Sequence, residues 1–107
     1  EARLKLKYGK QPPMLSPQML MTCNYMNEAC DGGWPHFNVF LAENAHLVSE
    51  DCAPYKGKSK GDHVVTTSNA NYLKVEQSYF VGGGWGATSE KQMMKEILRN
   101  GPINGDF

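Results

Sequence analysis

The sequence predicts a small fold that mixes helices with extended segments, on three observations. Blocks 16–23, 34–46 and 89–100 carry helix-end signals or apolar residues at helical spacing. Leu73 and Val75 alternate with polar neighbours at period two, and polar or glycine-rich runs separate these blocks. At 107 residues the chain has room for one core, a size at which hydrophobic gain and conformational entropy nearly cancel.

The elements follow in order. In the opening EARLKLKYG, Leu4, Leu6 and Tyr8 alternate with Lys5 and Lys7, so the chain starts without Met inside a patterned segment. The closing GPINGDF stops just after a turn that launches what reads as a strand. Both ends are expected to be cuts in a longer protein. In LSPQMLMTC, Ser16 is placed to cap a short helix running to about Cys23. Pro17 takes the first helical position, where a missing N–H costs nothing. From Trp34 the positions Phe37, Phe40, Leu41 and Ala45 recur at helical spacing, which predicts a helix over roughly 34–46 entered through Gly32 and Gly33. Asn44 and His46 mark its fraying end. Residues 56–71 are polar, turn-rich and without a period, and read as an exposed irregular segment. NYLKVEQSYFV reads as half-buried and extended. The last helix opens on Ser89 with Gln92 three residues on, a capping-box pattern, and ends at Gly101-Pro102. Its Met93, Met94, Ile97 and Leu98 form one apolar face, expected to be core packing.

Composition excludes several function classes. Eleven acidic and eleven basic residues leave no net charge, and the basic ones are scattered, so no footprint for nucleic acid is present. No apolar run approaches the roughly 18 residues that a bilayer span needs, and no signal-peptide pattern is present. Neither a nucleic-acid nor a membrane partner is expected. FVGGGWG, residues 80–86, matches neither G-x-x-x-x-G-K-[ST] nor a G-x-G-x-x-G that opens a helix, so a folded glycine turn is expected rather than a phosphate site. Cys23, Cys30 and Cys52 are an odd count. Free buried thiols and structural disulfides reaching beyond this sequence both remain open. His36, His46 and His63 lack ligand spacing with the cysteines, so no metal and no cofactor are expected, and the histidines read as surface or packing residues.

ACDGGWPHF, residues 29–37, is the most informative stretch. Two glycines ahead of a helix leave main-chain N–H and C=O groups unshielded, and such a strip can hydrogen-bond an extended peptide as an added strand would. Trp34 and Pro35 beside it could wall an apolar pocket. A glycine turn with Trp34 simply buried explains the same residues.

LSPQMLMTC, ACDGGWP, SEDCAPY and SYFVGGGWGATSEKQMMKEILRNGP occur here in an order and spacing that resembles papain-family cysteine peptidases, over residues 1–55 and 79–102. The resemblance implies an α+β, papain-like fold in which a mainly helical half faces a β-barrel half across a peptide-binding cleft. This sequence would supply much of the helical half, 1–100, and the start of the β half, 101–107. In the family a glycine pair binds substrate through its main chain. The matching positions are Gly32 and Gly33, with Trp34 and Pro35 matching the wall of the adjoining pocket. Asp106 falls where the family places a small or apolar residue facing that pocket, so one expectation is a preference for a basic substrate side chain there. A misregistered strand after Pro102 is the alternative.

The resemblance also carries disulfides. The partner of Cys30 would lie upstream of Glu1, and Cys23 and Cys52 would pair with each other or remain thiols. In a dipeptide-removing branch of the family two tyrosines help hold a chloride; His36 and Phe80 stand at those positions here, which removes both hydroxyls. The nucleophile signature C-G-[SA]-C-[WY] is absent. By the resemblance it belongs before Glu1, and the catalytic histidine and asparagine belong after Phe107, so no catalytic residue is assigned in this chain. The function implied is part of a cysteine peptidase, with peptide or protein substrates and the remaining segments of the same protein as partners, in a lysosomal, vacuolar or secretory compartment. A catalytically silent relative used as a scaffold is the alternative, and oligomeric state is left open.

Overall fold

A computed structural model describes residues 1–58, 73–84 and 86–105. The chain divides into two compact units, Pro13–Gln77 and Glu1–Pro12 with Ser78–Phe107.

In the unit Pro13–Gln77, helix α2 (Pro17–Cys23) begins as the sequence predicts. Buried Ser16 accepts from the N–H of Met19 at 3.0 Å and donates its own proton to the carbonyl of Ala53 at 2.5 Å. One hydroxyl thereby satisfies a helix-end donor and ties the helix to a distant loop. A 3-10 turn, Ala29–Asp31, leads into Gly32, Gly33 and helix α3 (Pro35–Asn44). This helix is shorter than the predicted 34–46: Trp34 is its N-cap, and it ends at Asn44, so His46 lies outside it. Extended backbone at Ala45 is what stops it, with no glycine or proline to announce the end.

The core of this unit is Met19, Ala42, Leu47 and Val48, with Leu73, Val75, Cys23 and Cys52 half-buried against it. Leu47, Val48 and Ser49 are its hub. Leu47 and Leu73 exchange main-chain hydrogen bonds at 2.7 and 2.9 Å, and Leu15 pairs with Ser49 in a second isolated antiparallel bridge. The expected alternation holds, since Leu73 and Val75 are half-buried while Lys74 and Glu76 are exposed. Pairing is confined to single bridges, and no longer strand forms among the described residues. Of the segment expected to be irregular, 56–58 is exposed and outside helix and strand; 59–71 lies outside the described residues.

In the other unit, the alternating Leu4, Leu6 and Tyr8 belong to a helix, α1 (Ala2–Tyr8). Gly9 closes it in a left-handed conformation, its N–H returning to the carbonyl of Lys5. A period-two pattern over so few residues did not distinguish helix from strand. Phe80–Gly83 closes as a turn with a 3.0 Å bond from the N–H of Gly83 to the carbonyl of Phe80, the folded glycine turn expected; Trp85 lies outside the described residues. Helix α4 (Glu90–Asn100) carries both bonds of the Ser89–Gln92 capping box and ends at Gly101. Its apolar face departs from expectation. Met93, Met94, Ile97 and Leu98 are all exposed, Leu98 at 86%. The pattern that favours burial is present in the helix, but the fold leaves it exposed rather than packing it into a core. Of the expected strand over 101–107, residues 101–105 form no strand, and Asp106 and Phe107 lie outside the described residues.

Candidate functional site

The site is built where α2, the 3-10 turn and the start of α3 converge. They form an open cavity of about 310 Å³ lined by Pro17, Leu20, Met21, Asn27, Gly33 and Asn38, with Ala29, Gly32 and Pro35 at its edge. Its surface is mostly apolar, and Asn27 and Asn38 line it beside the glycine strip.

Gly32 and Gly33 adopt φ of 116° and 152°, backbone that side chains with a Cβ rarely take. Both are exposed, so the strip is a surface feature rather than a closed turn inside the core. Gly32 spends its carbonyl on the N–H of Glu28 at 3.0 Å. No hydrogen bond joins the main-chain N–H or C=O of Gly33 to another described residue. Unshielded polar backbone beside an apolar cavity is suited to bind an extended peptide chain.

The structure thus brings Gly32, Gly33 and Pro35 together on one cavity. Trp34 does not line it; its side chain is 51% exposed, with the His36 ring 6.1 Å away. His36 in turn lies 4.2 Å from the Phe37 ring. Asp106, the fifth residue expected here, lies outside the described residues.

The cysteines are free. Cys23 and Cys52 sit half-buried against the core and are not joined to each other. The Sγ of Cys30 is exposed, 3.6 Å from the Met21 thioether, and the Cys52 sulfur accepts from the Ser49 hydroxyl at 3.2 Å. Among the described residues none of these sulfurs is bonded to an imidazole, and no group of three or more His, Cys, Asp or Glu is placed to hold a metal. This arrangement can grip and shape a ligand, and among the described residues it pairs no thiol with an imidazole.

Sequence reasoning missed the asparagines. Asn24, Asn27 and Asn38 form a hydrogen-bonded set behind the strip. Their signal was slight, since buried amides follow no periodicity and Asn is common in loops. It also missed Ala29, which holds a left-handed φ of 52° directly before Cys30.

With the geometry in place, the comparisons agree on its class. The papain family cysteine protease family matches residues 1–107, and the chain belongs to that family. Cathepsin C of Schistosoma mansoni is 36% identical over 109 residues, covering 100% of this chain and 24% of the relative. Cysteine proteinase 2 of Leishmania pifanoi is 36% identical over 98 residues, covering 89% of this chain and 22% of the relative. The chain therefore spans about a quarter of the length of these curated relatives. The crystal structure of the Carica candamarcensis cysteine protease CMS1MS2 in complex with E-64 superposes with a TM-score of 0.69 at 19% identity, covering 90% of this chain and 42% of that one. That likeness shows the papain-like fold, of which the described helices represent the helical half.

Proposed function

We propose that this chain is the substrate-gripping portion of a papain-like cysteine peptidase that removes dipeptides from free N-termini, by a thiolate and imidazole supplied from other segments of the same protein. The observation that carries the reading is Gly33, an exposed glycine with unspent main-chain groups on the rim of an apolar cavity. Gly32 and Gly33 would pair with substrate backbone, Pro35 would line the pocket for a side chain near the cut bond with exposed Trp34 flanking its mouth, and Asp106 would tune that pocket toward basic groups. Similarity to cathepsin C supports the dipeptidyl-peptidase form. Cys30 would form a disulfide with a cysteine outside this chain, and the protein would work in a lysosomal, vacuolar or secretory compartment, where disulfides persist.

The test uses the whole natural protein that carries this chain, with two fluorogenic dipeptide amides that differ only in a free or blocked N-terminus. Thiol-dependent hydrolysis of the free form alone is expected. Hydrolysis of both identifies an endopeptidase, peptide binding without hydrolysis identifies a silent scaffold, and absence of both binding and hydrolysis overturns the reading.

A further inference from the structure

We propose that Asn27 is a positioning residue for substrate, fixing the conformation of Gly33-Trp34, and that Asn38 and Asn24 orient it; this rests on the peptide-gripping role proposed above. The Oδ1 of Asn27 accepts from the Trp34 N–H at 2.8 Å, while its Nδ2 donates to the Trp34 carbonyl at 3.3 Å and to Asn38 Oδ1 at 3.0 Å. One side-chain amide thus holds both main-chain groups of a single residue, as a paired strand would. Both Nδ2 protons are engaged and Oδ1 has a donor, so Asn27 is occupied in holding the strip rather than in contacting a ligand directly.

The amide's orientation is dictated by its surroundings. Reversing it would set an NH2 group against the Trp34 N–H, donor to donor. Asn38 Oδ1 fixes it from the other side, accepting also from Asn24 Nδ2 at 2.8 Å. Asn24 is 3% exposed, and its Oδ1 is committed to the N–H of Met26 at 3.1 Å. The relay therefore starts from a buried, immobilised amide and ends on the backbone of the strip.

The same contact explains why position 33 is glycine. A Cβ there would lie 2.3 Å from Asn27 Oδ1, 2.4 Å from its Cγ and 2.7 Å from its Cβ. The Asn27 side chain occupies the space a Cβ at position 33 would need, and only a residue without a side chain leaves room for it. The clamp uses Trp34's polar groups and leaves those of Gly33 unspent. It thereby selects which part of the strip is offered to a peptide.

The experiment compares the whole natural protein with its Asn27→Ala, Asn38→Ala and Asn38→Asp variants, reading KM and kcat on a free-N-terminus dipeptide amide and hydrogen exchange at the Trp34 amide. Asn27→Ala is expected to accelerate exchange at Trp34 and raise KM by about five- to tenfold, the loss expected for a modest hydrogen bond, with kcat nearly unchanged as befits a loss of ground-state binding. Asn38→Ala should act in the same direction. Asn38→Asp, which keeps an acceptor for both neighbouring amides, should restore KM toward the natural value. Unchanged KM in Asn27→Ala with normal hydrolysis overturns the positioning role and leaves the groove reading intact. A natural protein that neither binds nor cleaves peptide overturns both.

Discussion

Arg3 and Glu96, 93 residues apart in sequence, meet at 3.1 Å through Nη2 and Oε1. The same carboxylate oxygen accepts from the Tyr79 hydroxyl and from Asn100 Nδ2 at 2.9 Å, and Arg3 also donates to the Tyr79 oxygen at 3.1 Å and to the Pro102 carbonyl at 2.9 Å. One acid thus gathers donors from α1, from α4 and from the segment between.

The hydrogen bond from Tyr79, then those from Asn100 and Arg3, hold the Glu96 carboxyl below its ordinary range. A depressed acid stabilises the fold above its unfolded pKa of about 4.3, and that contribution disappears as pH falls through the lower folded value. Chemical denaturation between neutral and strongly acid pH should show Glu96→Gln less stable than the natural chain at neutral pH, with the difference shrinking on acidification. A difference constant with pH would contradict the assignment. The Arg3 pKa is raised, led by its bond to Tyr79, but it titrates too high to shape this window.

Gly33→Ala should destabilise by about 1–3 kcal/mol, because a Cβ would run into Asn27 on backbone that already disfavours one. Replacing Asn27 by glycine removes the three atoms nearest to that Cβ. The Gly33→Ala cost measured in an Asn27→Gly background should therefore be smaller, and a double-mutant cycle by denaturant melts reads the difference directly.

Ala29→Gly should stabilise. Alanine at φ 52° bears strain of about 1–2 kcal/mol, and the extra unfolded-state entropy of glycine returns roughly 0.5–1 of it, leaving a net gain of up to about 1 kcal/mol. Thermal melting checks the sign.

Ser16→Ala should cost about 1–2 kcal/mol, more than an exposed cap, since it strips the Met19 N–H of its partner and leaves the Ala53 carbonyl without its donor in the part-buried contact.

What the sequence disclosed was local. Ser16 before Pro17 and Ser89 before Gln92 act within one helical turn, so residue identity alone determines those ends. The glycine pair ahead of a proline-started helix was visible locally, but a turn with Trp34 buried fitted the same residues, and it is the exposure of Gly32 and Gly33 that makes the pair a surface strip. The rest required distant partners. The face of Met94 and Leu98 shows an apolar stripe but cannot say whether anything covers it. Leu4 and Leu6 fit either period until the Gly9 cap resolves the helix. Asn24, Asn27 and Asn38 gain meaning only when the turn after α2 brings them within hydrogen-bond reach.

Gln18 holds the main chain of Lys56 and Lys58, at 2.8 and 2.9 Å, while Leu47 independently secures Leu73. Buried Gln18 thereby uses both atoms of one amide to fix the backbone of Lys56 and Lys58, so a shorter side chain there would release both contacts at once.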